Sequence, residues 1–400
     1  MKQLLAISRN TFMQTVRQPL YGIIVFATLG GLALSPSLTG WTMDDDDKML
    51  RDLGLSTLLI QGLFLACFAA STVLNTEIED KTVLTSASKP ISRPIFIVGK
   101  YLGVLGALLV GHYLAGIALF MVMRHGVLQM SSQSSDVTVL ILGPGMLTLV
   151  LIAAAAANYA FEWRFLPTAL ALCLPAATLG AAILLVIDRD GKLQTYEVTQ
   201  TMDDFPAEAV GEGALRGVVE FRPLPGDSAI QGHRGLLVRK AWQGPIGDED
   251  RRYLLELSGS ERWRRDVDFL AKECRKQFGG VEVFKAGVLI FGAIGLLGSI
   301  AIVVSTRFGM ITTFLVCIMA ACAGLTADYF LLPLADAGRG WAQVAYRFVP
   351  NFQLFWMVDA LSEDRIVPVG YMASAFAYAG LYVTAFLALG AALFETREVG

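Results

Sequence analysis

Eight stretches of this chain each hold about twenty consecutive, almost uniformly apolar residues, and such runs leave few folding options. They cover 19–36, 55–75, 100–123, 138–158, 165–187, 284–305, 309–332 and 368–393. A bilayer core of roughly 30 Å is crossed by about 20 residues of helix. Inside it every backbone polar group must be satisfied within the segment. The runs therefore predict an all-α polytopic membrane protein with about eight transmembrane helices. Composition agrees, with 54% hydrophobic residues, only 17% charged ones and a mean hydropathy of +0.56, far from a soluble balance. The first run is expected to be a span rather than a cleaved leader, because it is too long for one and an amphipathic stretch precedes it.

That stretch, 1–18, reads as an interfacial helix. At 100° per residue Met1, Leu5, Phe12 and Val16 share a narrow arc, flanked by Lys2 and Arg9, whose stems reach toward lipid headgroups. Charge is concentrated elsewhere. Residues 188–281 hold 15 of the 32 Lys and Arg and 17 of the 35 Asp and Glu, so a hydrophilic domain is inserted between spans five and six. Within it "YEVTQT", "RGVVEFRP", "GLLVRKAW" and "YLLELSG" alternate and are separated by Gly and Pro, which predicts a small β-rich module. The run 261–278 predicts a charged helix leading back to the membrane.

Short-loop basic residues orient the chain. With the N-terminus inside, the inner segments carry Lys2, Arg9, Arg17, Lys81, Lys89, Arg93, Lys100, Arg164, Arg307 and Arg397. The outer ones carry Lys48, Arg51, Arg124, Arg339, Arg347 and Arg365. The bias favours both termini in the cytoplasm, the 188–281 domain outside, and an outer aromatic segment at 339–361. The "DDDDK" at 44–48 is then an outer acidic loop.

Several chemistries are poorly supported. Of the five cysteines, Cys67, Cys173, Cys317 and Cys322 lie in predicted spans and Cys274 in the hydrophilic domain, with no disulfide or metal spacing. Three histidines (His112, His125, His233) argue against a histidine-rich metal site. His112, in mid-span beside Tyr113, is a candidate functional group, although a helix-to-helix hydrogen bond is the favoured reading. Asn351 and Asp359 read as surface polar groups. No Gly-x-x-x-x-Gly-Lys-(Ser/Thr) loop occurs to hold ATP phosphates, so the chain carries no nucleotide cofactor site of its own. "LSGSE" at 257–261 resembles an ATPase signature but lacks that loop. No catalytic constellation recurs within the spans, so the chain is not expected to be an enzyme.

One polar strip interrupts the apolar pattern: "NTEIEDKTVLTSASKPISRPIFIVGK", residues 75–100. Thr76 to Leu84 is helix-like, with Pro90 and Pro94 as stops. The wording resembles the segment between the second and third helices of type-2, exporter-type ABC transporter permeases. That segment has an acidic residue, a Lys-Thr or Gly-Thr a few positions on, a Pro-x-(Ser/Gly)-Arg and a Gly-Lys entering the next helix. Here these are Glu77, Lys81-Thr82, Pro90-Ile91-Ser92-Arg93 and Gly99-Lys100. "ISRNTFMQTVRQPLY" resembles the family's N-terminal amphipathic helix. "AIVVSTRFGMITTFLVCIMAACAGLTADY" resembles its fourth and fifth core helices, joined by a Ser-Thr-Arg turn. "YRFVPNFQLFWMVDALS" resembles its aromatic outer segment, and "ALFETREVG" its cytoplasmic tail. The likeness covers 1–124 and 282–400, while 137–281 departs from it by adding a helical hairpin and the soluble domain.

The resemblance implies a permease subunit in a bacterial inner membrane, paired with itself or a sister permease and driven by a separate cytoplasmic ABC ATPase that binds ATP and Mg. It implies no nucleic-acid partner. The loop 76–99 is then a coupling element in which Glu77, Glu79, Asp80, Lys81 and Thr82 contact the ATPase. Lys89 and Arg93, with Lys100, either join that contact or bind anionic lipid. Export or extraction of a substrate is one outcome. The other is a non-transporting envelope complex that relays helix motion to the outer domain.

Overall fold

The computed structural model describes residues 2–39, 46–79, 92–126, 136–187, 199–200, 219–223, 235–239, 261–362 and 367–395. Among these the chain is overwhelmingly helical. Seven helices are long and apolar enough to cross a membrane, as in an integral membrane protein, and one bent pair makes an eighth span if it is counted as one.

In chain order, α1 (Lys2–Val16) leads through a short turn into α2 (Pro19–Thr39), followed by α3 (Asp46–Glu79) and α4 (Arg93–His125). The next span starts with α5 (Val137–Leu140), passes through a π-helical turn at Ile141–Gly145, and continues as α6 (Met146–Phe161). Pro144 lies inside that turn, and its missing N–H and ring account for the loosened register. Then come α7 (Phe165–Val186), three short strands, α8 (Glu261–Ser305), α9 (Met310–Leu325), α10 (Ala327–Asp336), α11 (Gly340–Phe348), α12 (Val358–Ser362) and α13 (Val369–Glu395).

The chain divides into two units. One comprises Met1–Lys192, Val283–Asp359 and Val367–Gly400; the other comprises Leu193–Glu282 and Ala360–Ile366. In the first, most residues of the span formed by α8 are buried and it sits at the centre, whereas few residues of the α13 span are buried and it lies at the periphery. Polar side chains stitch α4 to its neighbours by bonding backbone carbonyls. Tyr21 Oη donates to Ala107 O at 2.7 Å, Gln61 Nε2 to Gly111 O at 3.3 Å, and Tyr101 Oη to Gly295 O at 3.1 Å. Such bonds hold helices together where apolar burial gives little drive between helices in lipid.

Several expectations need correction. α1 does not turn a uniform arc to lipid: Leu5 is exposed, but Phe12 lies over Gly106 of α4, and the fully buried residues are Thr11 and Thr15. Small residues permit this closeness. A Cβ on Gly103 would stand 2.5 Å from Ser8 O and 2.5 Å from Thr11 Cβ. The acidic run at 44–48 is not wholly a loop, since α3 begins at Asp46; carboxylates are favourable at a helix N-terminus. Pro94 starts a helix rather than stopping one, in the first turn of α4 behind an extended Ser92, where its absent N–H is not needed.

The span expected at 309–332 is broken at Thr326, and its halves meet at a 59° bend. The β-rich inserted module is not supported. The strands among the described residues are three short antiparallel ones, β1 (Thr199–Gln200), β2 (Val219–Pro223) and β3 (Gly235–Arg239), in that order, with Gln200 opposite Val219 and Phe221 opposite Leu237. Residues 261–281 are helical and run without interruption into the following span as α8. A period-two pattern over a few residues reports a local strand, not the architecture of a domain.

Candidate functional site

The polar strip joins two helices that pack along each other, α3 and α4. Glu77 and Glu79 are not in a separate loop helix; they are the last turn of α3, continuous with the span from Asp46. Asp80, Lys81, Thr82 and Lys89 lie outside the described residues, as does the rest of the expected run to Leu84. Arg93 is exposed at the first position of α4. Lys100, expected either to join the ATPase contact or to bind anionic lipid, is 1% exposed, with Nζ 5.4 Å from the centroid of the Phe96 ring. Two turns of α4 separate it from Arg93, and that depth takes it into the packed bundle.

Other elements converge on the same end. Gln18, at the turn after α1, accepts a 2.8 Å hydrogen bond from Thr72 near the end of α3. Phe96 of α4 stacks on Phe394 of α13 at 5.6 Å. Arg307, in the turn between α8 and α9, donates from Nη2 to Leu393 O at 2.6 Å, which places a cation at a helix C-terminus where the backbone dipole favours it. One end of the bundle thus gathers α1, the acidic end of α3, the start of α4, the α8–α9 turn and the end of α13.

The opposite end holds a polar cluster that the sequence reading did not assemble. Asp328 Oδ1 accepts from Tyr346 Oη at 2.8 Å and from Asn351 Nδ2 at 2.7 Å. Asn351 Oδ1 accepts from Gln353 N at 2.9 Å, and Asn351 N donates to Tyr378 Oη at 2.8 Å. Asn351 is therefore a buried bracket between α10, α11 and α13, not the surface group expected. Its hydrogen bonds join residues up to 27 positions apart, a reach that no local pattern encodes. The Asp328 carboxylate, by accepting the Tyr346 hydroxyl, holds that phenol above its ordinary range. Next to it, Phe352 N donates to Gly324 O at 3.1 Å, close before the break.

Where α4 and α7 end and α5 begins, a second polar knot fastens the hairpin of α5–α7. Arg124 Nε meets Asp136 Oδ2 at 3.2 Å, Arg124 Nη1 donates to Leu184 O, and Asp136 Oδ1 caps α5 by accepting from Val139 N at 3.1 Å. Below it Met121, Val139 and Leu184 form an apolar cluster.

His112 Nε2 lies 2.9 Å from Gly287 O, so it bridges α4 to α8, as the favoured reading expected. Among the described residues no group of three or more His, Cys, Asp or Glu is placed to hold a metal ion. The "LSGSE" motif lies outside the described residues except for Glu261, which begins α8.

Comparison with protein-family models, curated proteins and solved structures returns no match. Function is therefore read from the chain's own residues and geometry, together with the motif resemblance.

Proposed function

We propose that this protein is the membrane-spanning permease subunit of an exporter-type ABC transporter, driven by a separate cytoplasmic ATPase and placed in a bacterial inner membrane. The observation that carries the reading is the convergence of α1, the acidic end of α3, the start of α4, the α8–α9 turn and the end of α13 at one end of the bundle. In this reading that end is cytoplasmic, with both chain termini, and the segment 188–281 with its short strands is extracytoplasmic. A second permease, identical or sister, completes the assembly, and ATP and Mg are held by the ATPase.

The mechanism follows from α3. Its 34 residues rise about 51 Å as one helix, so a force on Glu77 or Glu79 acts directly on a span rather than through a loop. By the motif resemblance Asp80, Lys81, Thr82 and Lys89 join the ATPase contact, together with Arg93 at the start of α4. Closure of the ATPase then tilts α3 against α4.

The test is charge reversal. Glu77→Lys with Asp80→Lys is expected to cost about 2–5 kcal/mol at a desolvated contact, roughly 30-fold or more in affinity. Co-purification of the ATPase and transport-coupled hydrolysis should both be lost while the chain stays folded in the membrane. Survival of both activities in the double variant would reduce the strip to a solvated connector.

A second reading, a non-transporting complex that moves its outer segment, draws on α8, one helix whose residues belong first to the hydrophilic segment and then to a span. Coupled hydrolysis that persists without any substrate flux would favour it.

A further inference from the structure

We infer that Cys67 of α3 and Cys317 of α9 form an oxidisable thiol pair inside the membrane, which lipid peroxyl radicals close to a disulfide. That bond pins α3 against α9. Its effect on activity rests on the proposed function, in which α3 carries the motion of the ATPase; the pair itself does not.

Packing brings the two thiols together. α3 and α9 lie against each other. Cys67 falls within the span Lys48–Leu74, and Cys317 lies midway along α9. They are 1% and 0% exposed, and their thiols share a hydrogen bond. Phe314, one turn before Cys317, fixes the register. Its ring centroid lies 5.1 Å from that of Phe64 and 6.1 Å from that of Phe68, which stand on either side of Cys67 in α3. Phe64 and Leu315 are exposed on the outside of this contact, so the pair lies a side chain's depth below the lipid-facing surface. A single buried cysteine is a small apolar filler. Two, brought by different helices within hydrogen-bonding reach, need little movement to become bonded, because disulfide geometry requires backbones that are already close.

The surroundings select the reaction. Thiols usually react as thiolates, but a charge formed among apolar side chains in the membrane is costly. Hydrogen-atom transfer forms none. Each S–H bond breaks, and its hydrogen atom passes to one peroxyl radical, which becomes a hydroperoxide. The two sulfur radicals combine, and their unpaired electrons make the S–S bond. Two thiols are thus each oxidised by one electron, and two peroxyl radicals are each reduced by one. Such radicals arise on acyl chains, at the depth where the pair lies. Cys67 stands about 15 Å along α3 from Glu77, so the bond holds the same rigid helix that the acidic end would move.

The chain with its ATPase, in phosphatidylcholine vesicles carrying polyunsaturated chains, is exposed to a lipid-soluble azo initiator in air and digested without reductant. Mass spectrometry should find the Cys67 and Cys317 peptides joined, two hydrogens lighter than their sum. Cys322, exposed on the same helix, is the internal comparison and should oxidise without entering that link. This map needs no variant. A reduced pair beside an oxidised Cys322 would show that burial shields it, and separate oxidation of the two sulfurs to acids would show that they do not meet. Either result overturns the inference. Coupled hydrolysis should fall in proportion to the linked fraction and return with a membrane-soluble phosphine, while Cys67→Ser, or Cys317→Ser if the first does not fold, should be insensitive. Full hydrolysis in linked chains would show that α3 is not pinned. Failure of the proposed function reads differently: no ATPase is retained, and the link still forms.

Discussion

At Gly103 the absence of a side chain decides where a whole helix lies. A methyl group there would reach 2.5 Å from both Ser8 O and Thr11 Cβ, and one of those contacts is backbone that does not rotate away. Gly103→Ala is therefore expected to lower stability by about 1–3 kcal/mol, the usual cost of overpacking. Gly30, which has nothing within 4 Å of an added Cβ, supplies the comparison. There alanine should be neutral or gain up to about 1 kcal/mol from helix propensity. Thermal unfolding of the two variants in detergent distinguishes them, and equal midpoints would show that α1 does not press on α4. Lys100 makes the opposite point about single residues. A lysine near a helix start reads as a headgroup anchor, yet here its burial is settled by the neighbours of α4.

Among the elements, the hairpin of α5–α7 is fastened where α4 ends by the Arg124–Asp136 ion pair. Asp136 is buried, with a side chain 1% exposed, and the Arg124 side chain is 13% exposed. Removing one partner of a buried pair strands the other charge at about 3–5 kcal/mol. Asp136→Ala should lower the unfolding midpoint far more than Asp336→Ala, which alters an exposed carboxylate. Similar shifts in the two variants would mean that the apolar cluster of Met121, Val139 and Leu184 carries the attachment alone. The helices themselves were mostly legible from hydropathy, because a span must satisfy its own backbone. Their ends were not. The charged end of α3 and the fusion of 261–278 with the following span lie where hydropathy drops but helix geometry continues. The break at Thr326 has Gly324 two residues before it, but glycine is common within transmembrane helices and does not by itself announce a break. The break is accompanied by the Asp328–Tyr346–Asn351 bonds from residues further along the chain.

For the molecule as a whole, the proposed orientation has a direct test. A cysteine placed at residue 230 should react with a membrane-impermeant maleimide in intact cells. Reaction only after lysis would put 188–281 inside and reverse the topology. The geometry fixes one part independently of any membrane, since α1, the α8–α9 turn and the end of α13 share one end of the bundle. The seven candidate coupling residues are visible in the sequence as one strip, and the structure places Glu77 and Glu79 on α3 and Arg93 on α4.

Local composition alone settles the rough position of the apolar helices, the concentration of charge in 188–281, and the polar strip between two spans. Each is decided within a short window, because about twenty apolar residues satisfy a bilayer and a charged segment does not. Which faces meet is settled only by packing in three dimensions. The Gly103 contact with α1, the hydrogen bonds of buried Asn351 and the Arg124–Asp136 knot all join residues apart in the chain. Their energies depend on a partner's position, and one-dimensional periodicity carries no information about that position.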